Sequence, residues 1–462
     1  MPDSGRERSG HPGPSLQTTL QTACPDIYYS SPMSQGSFAR RRPRDHDGSS
    51  AAEIAVFDAT EKLLANTSLQ DLTVAQILEV GGLSRANFYH YFANKYDVLV
   101  ALLGRVFDES YGLDAPWGTD PGRDRARRMG SSLDQTLEMW SKHGAVICAV
   151  IEHMHSRPAV AEAWQRMFEQ FVSALAEQIR FERAEGRAPD GAPAVMLAAM
   201  LVGGAERAFY VSTRGLDDRL PAAASVTTSL TAINEAAIYG GRAPAKGRRA
   251  TAKDAATEVT APPAAEPVAV ETETARNILN SMRELLMTET LAELSVAKIL
   301  KHSNTSRASF YFYFRSKEDA FVVLFREAAA HVVAGLADIV EVDRADPSAL
   351  MAQVDQWLNV DRHAGAVIKN AVHEWPRLPE LRVEYLAAMS AMETVLESII
   401  LADRKRGLAP AGPPVREYAA TLLWTIERTI AGSLAGEAHL GDRAAVTEMV
   451  TRFVFAAIYG RR

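Results

Sequence analysis

Cysteine is almost missing from this chain: Cys24 and Cys148 are the only two in 462 residues. Two thiols make no disulfide framework, and the N-terminus lacks the apolar core of a secretion signal, so a reducing cytoplasm is the expected home. Positive charge is not in excess either. The formal net charge is −7, which argues against coating nucleic acid by bulk charge and leaves only local patches for such contacts. Long apolar runs are scarce. The most apolar stretch, Ala192 to Ala205, covers about 14 residues, the length of a buried core helix and short for a bilayer, so no membrane role is expected. Alternating strand runs bounded by turns, Gly-rich phosphate loops, nucleophile elbows and paired catalytic carboxylates do not stand out. An enzyme is therefore not expected, and no cofactor is implied.

What the chain does contain is one block twice. Residues 71–97, DLTVAQILEVGGLSRANFYHYFANKYD, return 222 positions later as residues 293–319, ELSVAKILKHSNTSRASFYFYFRSKED, with 14 of 27 positions identical and no gap. The repeat continues outward. Gly144-Ala145-Val146-Ile147 returns as Gly365-Ala366-Val367-Ile368, Glu206-Arg207 as Glu427-Arg428, and Ala236-Ala237-Ile238-Tyr239-Gly240 as Ala456-Ala457-Ile458-Tyr459-Gly460. The spacing is far longer than the 20–50 residues of a solenoid, so the chain is two similar halves of roughly 190 residues each. Apolar residues recur at three and four throughout, which predicts an all-α protein.

Residues 1–49, rich in Ser, Pro, Gly and Arg, are expected to be a disordered basic arm. Residues 243–270 form an Ala/Pro linker, in which Lys246, Arg248 and Arg249 are expected to be solvated. Its 28 residues reach at most about 90 Å and average near 30 Å as a coil, enough to join the end of one unit to the start of the next.

Within each repeat the residues spell a helix, a turn and a second helix. An opening helix offers Ile54, Phe57, Leu63 and Leu64, matched by Ile278, Met282, Leu285 and Leu286. Thr73 and Gln76 fit a capping box; Ser295 can cap the equivalent helix, with Lys298 in place of the reciprocal partner. Gly82 suits the left-handed turn residue, and Asn304, the usual substitute, stands at its counterpart. Ser84 and Ser306 are N-cap candidates for the next helix. On that helix Phe88 and Phe92 share an inner stripe, Ala86 and His90 lie opposite, and Arg85, Asn87 and Tyr89 flank them. Such a face fits a major groove. Arg can read guanine, Asn adenine, and Ala can approach a thymine methyl, while Tyr and Lys mostly hold phosphates.

This order, capped short helix, turn, Ser-Arg-Ala-x-Phe-Tyr-x-Tyr-Phe and then x-x-Lys-x-Asp, resembles the DNA-binding domain of the TetR family of repressors, over about 50 residues in each half. The rest of each half matches that family only in length and helical character. The family commonly has His where this chain has Tyr91 and Tyr313, whose hydroxyls can still donate to phosphate. The resemblance implies two tandem units: helix-turn-helix domains at 50–103 and 271–325, and helical effector and pairing domains at 104–242 and 326–462. It also implies a double-stranded DNA operator as partner, a small apolar effector, repression released by that effector, and a cytoplasmic, nucleoid-associated protein. The candidate DNA contacts are Thr73, Ser84, Arg85, Ala86, Asn87, Tyr89, His90, Tyr91 and Lys95, and in the second half Ser295, Ser306, Arg307, Ala308, Ser309, Tyr311, Phe312, Tyr313 and Lys317. Lys95 and Lys317 are expected at the start of a fourth helix, where backbone N–H groups add to anion binding. Arg40, Arg41, Arg42 and Arg44 are candidate arm contacts in a minor groove. Candidate cavity residues are Trp140, Met154, Trp164, Met167, Phe168 and Phe171, then Trp357, Trp375, Tyr385 and Met389; each would serve equally well as plain core.

The copies are unequal. Residues 73–95 carry Arg85, Lys95 and Glu79, a net of +1, whereas 295–317 carry Lys298, Lys301, Arg307, Arg315 and Lys317, a net of +5. Asn87 becomes Ser309 and His90 becomes Phe312, so the expected operator has related but unequal half-sites, read by an intrachain pseudo-dimer. A dimer of such chains, with four heads, stays open. So do an activator or architectural role and an interaction or ligand-binding module that has lost DNA binding. His143, Cys148, Glu152, His153 and His155 cluster in sequence, but His153 and His155, two apart, point to different helix faces, so no metal site is expected. Glu206-Arg207 and Glu427-Arg428 are neighbours that cannot face each other, and each is expected to meet partners on adjacent helices; an effector contact would also explain a charge inside an apolar run.

Overall fold

Local rules set how each half begins. In the computed structural model, which describes residues 50–111, 120–241 and 272–460, helix α1 (Ala51–Leu64) opens with a capping box between Ser50 and Glu53. That start places Glu53, Val56, Phe57, Thr60 and Leu64 on the inner face. Ile54 falls off this face and is 41% exposed, which corrects its assignment to the apolar stripe. The counterpart α9 (Glu273–Leu285) buries Ile278 and Met282 as expected. The described residues belong to one compact unit, Phe38–Arg462. The basic arm 1–49 and the linker 243–270, with Arg40, Arg41, Arg42, Arg44, Lys246, Arg248 and Arg249, lie outside the described residues.

The second helices are α2 (Val74–Gly81) and α10 (Val296–Ser303). Thr73 and Gln76 form the full capping box, while Ser295 caps the Lys298 N–H. Both helices stop in the left-handed conformation, at Gly82 with φ 62° and at Asn304 with φ 50°. Asn304 is the only non-glycine residue with positive φ among the described residues, so the turn geometry outranks the usual backbone preference there. Helices α3 (Arg85–Tyr91) and α11 (Arg307–Tyr313) follow, capped by Ser84 and Ser306. Phe88 and Phe92 are sealed inside, with Phe92 edge-on to Phe57 at 5.7 Å. Each such ring contributes about 1.5–3 kcal/mol of burial, enough to hold a three-helix head together.

Helices α4 (Lys95–Tyr111) and α12 (Lys317–Ala337) leave the heads and enter the bodies. The first body is α5 (Arg123–Met154), α6 (Pro158–Ala184), α7 (Ala194–Thr213) and α8 (Ala223–Tyr239). The second is α13 (Pro347–Leu358), α14 (Arg362–Glu374), α15 (Pro379–Lys405), α16 (Val415–Ala435) and α17 (Arg443–Tyr459), with a 3-10 turn at Asp338–Glu341. All regular structure among the described residues is helical. One long helix in the first body is two in the second. Asp361 caps α14 through the N–H groups of His363 and Ala364 at 2.8 and 3.1 Å, and the chain breaks before it. The first half has Trp140 at the matching position, which offers no cap, and α5 runs on.

The two bodies meet along α7 and α16, flanked by α8 against α16 and α17. Gly203 and Gly204 let α16 approach; a methyl group on Gly204 would come within 2.6 Å of Thr425 Cγ2. Here the repeated Glu-Arg pairs find their partners. Arg207 pairs with Glu427 at 3.0 Å and Arg428 with Glu206 at 3.5 Å, all four side chains buried. Each half thus offers the other the same two residues, the reciprocity of a two-fold contact. Burial raises Glu206 while Arg428 and Arg207 oppose it; Arg428 is itself raised, despite its own desolvation, by Glu206 and Glu437. Further out, the Trp424 indole donates to Asp217 at 3.0 Å, and Arg219 reaches Glu393 at 3.1 Å and Thr394 at 2.9 Å.

The expectation that no apolar stretch is long enough for a bilayer needs correction. Among the described residues three helical stretches, Ala194–Thr213, Lys317–Glu341 and Pro379–Lys405, have the length and composition to cross one. The helix α7 continues through Glu206-Arg207 because those charges are paired across the interface, which extends it to 20 residues. Of its apolar window 83% is buried within the protein, so its apolarity is accounted for by packing.

Candidate nucleic-acid interface and internal cavities

The outer face of α3 is built by exclusion. With Phe88 and Phe92 buried, Arg85, Ala86, Asn87, Tyr89 and His90 stand exposed, and Tyr91 is half-buried. On α11 the same face shows Arg307, Ala308, Tyr311 and Phe312 exposed, with Ser309 and Tyr313 half-buried. The faces differ in what they hold free. The Ser309 hydroxyl lies 2.8 Å from the Ser306 hydroxyl, inside the helix cap, whereas the Asn87 side chain is exposed and the Ser84 cap takes only its backbone N–H. Phe312 is 80% exposed, a large ring left in water, while the Arg307 guanidinium lies over the Tyr311 ring at 5.7 Å.

The two lysines at the start of α4 and α12 do not stand free for an anion. Lys95 Nζ donates to the carbonyls of Gln70 and Leu72 at 2.9 and 2.8 Å. Lys317 Nζ does the same to Leu291 and Leu294, both at 2.6 Å. Each staples the turn after α1 or α9 to the next body-bound helix. The helix starts are also occupied: Asp97 accepts from the Ala93 N–H and Asp319 from the Arg315 N–H, both at 3.0 Å. Thr73 and Ser295 serve as helix caps. The larger charge of the second head shrinks in the same way, because Lys298 pairs with Glu289 at 2.7 Å and Arg315 with Asp319 at 3.2 Å. Lys301 and Arg307 are left without an ion pair there among the described residues, against Arg85 in the first head.

Each body holds a partly open cavity, of about 340 Å³ in the first half and 110 Å³ in the second. Trp140, Trp164, Met167, Phe168 and Phe171 line the first; Trp357, Tyr385 and Met389 line the second. Met154 and Trp375, which occupy matching positions, line neither. They close α5 and stand just past the end of α14, and Trp375 lies against the other half. Trp375 is fully buried there, 6.1 Å from the Tyr210 ring and 5.8 Å from the Arg207 guanidinium. Sequence reasoning missed Gln178, Asn234 and Tyr111, which line the first cavity together with Glu206. Glu206 carried a signal, a charge inside an apolar run. Tyr111 matters for position: it lies at the far end of α4 from the head, 5.2 Å from Phe171, with its hydroxyl 3.0 Å from Thr136. A 17-residue helix spans about 26 Å, so α4 connects the recognition head directly to the cavity wall.

Glu152, which the sequence places beside His153, binds Arg214 through both oxygens at 2.8 and 2.9 Å. His143 lies 2.6 Å from Glu61 of α1 and ties head to body. Burial pushes the Cys148 thiol up to about 12, so it is an inert core group.

Paired heads with outward-facing recognition helices, each joined to a helical body, define a helix-turn-helix protein with its two units in one chain. Residues 56–102 and 278–323 match the family described as bacterial regulatory proteins, tetR family; residues 129–240 and 349–460 match the C-terminal domain of the transcriptional regulator EthR. The HTH-type transcriptional regulator EthR of Mycobacterium tuberculosis is 30% identical over 211 residues, which is 46% of this chain and 97% of that protein. The regulator of the same name in Mycolicibacterium smegmatis is 29% identical over 191 residues, 41% of this chain and 86% of that protein. A crystal structure of regulatory protein TetR from Rhodobacter sphaeroides covers 36% of this chain and 90% of its own at 20% identity, with a TM-score of 0.28. The chain belongs to the TetR family of bacterial regulators, and it carries two family units in tandem.

Proposed function

We propose that this protein is a sequence-specific DNA-binding transcriptional regulator in which one chain supplies both heads that a TetR-family dimer would draw from two subunits. The reciprocal Glu206–Arg428 and Glu427–Arg207 contacts between the bodies carry the pseudo-dimer reading. The exposed face of α3 with Arg85, Ala86, Asn87 and His90, and that of α11 with Arg307, Ala308 and Phe312, support major-groove entry by both. Tyr89, Tyr91, Tyr311 and Tyr313 flank those faces as phosphate contacts, and the capping serines Ser84 and Ser306 set each helix start. Because Asn87 and His90 are answered by Ser309 and Phe312, the operator is asymmetric, with half-sites about one helical turn apart.

The protein acts as a repressor released by a small apolar ligand. Support comes from the apolar cavity in the first body and from α4, which reaches it with Tyr111. A ligand that favours a different position of α4 would move the first head relative to the second and lower affinity for the operator. The test is a mobility shift on the DNA flanking its own gene, at two salt concentrations. Binding that is lost in both Arg85→Ala and Arg307→Ala supports the regulator. No specific shift by the unaltered chain at either salt concentration would favour the second reading, an interaction or ligand-binding module that has lost DNA binding, to which the weak charge of the first recognition segment points.

A further inference from the structure

The two cavities differ in what their polar groups do. In the first, Trp164 Nε1, Asn234 Oδ1 and Glu206 Oε2 have no hydrogen-bond partner, although Trp164 is 9% and Glu206 7% exposed. An unanswered buried polar atom costs about 1–3 kcal/mol, so three on one cavity wall point to a guest that answers them. In the second cavity both oxygens of the one carboxylate in the wall, Glu427, face a partner: Oε2 has no hydrogen bond but lies 3.0 Å from Arg207 in the ion pair, and Oε1 is met from within the same body. Tyr385 stands where Trp164 does in the first half, and its hydroxyl donates to Glu427, the counterpart of Glu206. Ile426 replaces Ala205 and Val454 replaces Asn234. Phe325 and Tyr385, which line it, stack at 5.4 Å and narrow the space, with Trp375 behind Tyr385 continuing the stack at 5.0 Å.

We propose that the chain is a one-site sensor: it takes a single ligand, in the first body only, with an apolar body and a neutral head that both accepts and donates hydrogen bonds. This rests on the reading of the first cavity as an effector site. The head accepts from the Trp164 indole and donates to Glu206 or Asn234; the carboxyls of Glu206 and Glu235 in the wall disfavour an anionic head. Glu206 has a second role. Its other oxygen faces Arg428 of the opposite body at 3.5 Å, so a ligand held at Glu206 bears directly on the buried ion pair that joins the halves.

Native mass spectrometry of the full chain with decanamide, decanoate and decane tests this. Decanamide is expected at one molecule per chain, and the other two at least about tenfold weaker, the loss of one good hydrogen bond. The double variant Trp164→Tyr and Ala205→Ile copies the residues of the second body into the first and is expected to cut decanamide uptake at least about tenfold. Trp164→Phe alone, which keeps the ring and removes the donor, should weaken it as well. Two molecules per chain, no uptake of decanamide, equal uptake of decanoate, or uptake unchanged in the double variant would each overturn the proposal. The same preparation in the mobility shift separates the readings: operator binding without decanamide uptake leaves the DNA-binding role standing and removes the sensor.

Discussion

The two halves share a backbone plan and differ in what their side chains leave free. The first body keeps a ligand-sized cavity with unanswered polar atoms, and the second narrows the same place with stacked rings and a Tyr385–Glu427 hydrogen bond. Their heads differ in the opposite sense, since in the second head α11 has the more exposed aromatic, Phe312, and α10 the extra cation, Lys301, without an ion pair among the described residues. Once two copies sit in one chain, each is released from having to be both sensor and reader, an option closed to a symmetric homodimer.

The strongest way to break this comparison is at the crossed ion pairs. Arg428→Met leaves Glu206 and Glu437 without their guanidinium and should cost about 3–5 kcal/mol. Arg207→Met should cost less, because Tyr385 still donates to Glu427. Equal shifts of the two variants in urea denaturation would show the bodies to be more alike than described.

The DNA-reading face comes next. Arg85→Ala and Arg307→Ala should each weaken operator binding by about 1–3 kcal/mol and relax preference at different base pairs. Fluorescence anisotropy against single-base variants of the site reads this out, and the same altered base pair for both would contradict two unequal heads.

A repeated glycine gives a similar-sized contrast in stability. On Gly144 a methyl would meet Thr213 Cγ2 at 2.7 Å, whereas on Gly365 the nearest atom is an Arg443 guanidinium nitrogen at 3.5 Å. Gly144→Ala should therefore destabilise by about 1–3 kcal/mol, and Gly365→Ala should be neutral or raise the melting temperature through helix propensity.

The smallest effect is in acid. His153, opposite in sequence to Glu374 of the second half, is lowered to about 4 by burial and then by the charges of Arg377, Lys95 and Arg157. The unfolded chain binds its proton first as pH falls, so this contribution is present above pH 6.5 and is lost between about 6.5 and 4. Discounted for solvent screening of the neighbouring charges, it is about 1 kcal/mol. His153→Gln should flatten that limb of the stability profile, and an unchanged limb would remove His153 from the account.

What the sequence revealed and what it hid follow from the range of the interactions. The heads were legible because their rules are local: Thr73 with Gln76, Gly82 or Asn304 at the turn, and Phe88 four residues before Phe92 all act within one or two helical turns. The repeated Glu-Arg pairs could be seen to need partners, but their reciprocity required the two bodies to be docked. The stapling role of Lys95 and Lys317 was hidden because the carbonyls they bind lie 23 to 26 residues back in the chain. Met154 and Trp375 read like cavity residues by type and line neither cavity, and Trp375 lies against the other half instead, since only packing shows which way a helix end faces. The inequality of the cavities depends on substitutions such as Ala205 against Ile426, whose effect appears only when the walls are assembled.

Selection of binding sites from random DNA with the full-length chain is the most direct trial of two unequal readers in one molecule. The account predicts one site per chain with two related, non-identical half-sites about one helical turn apart. Recovery of perfect palindromes with equal half-sites would contradict it.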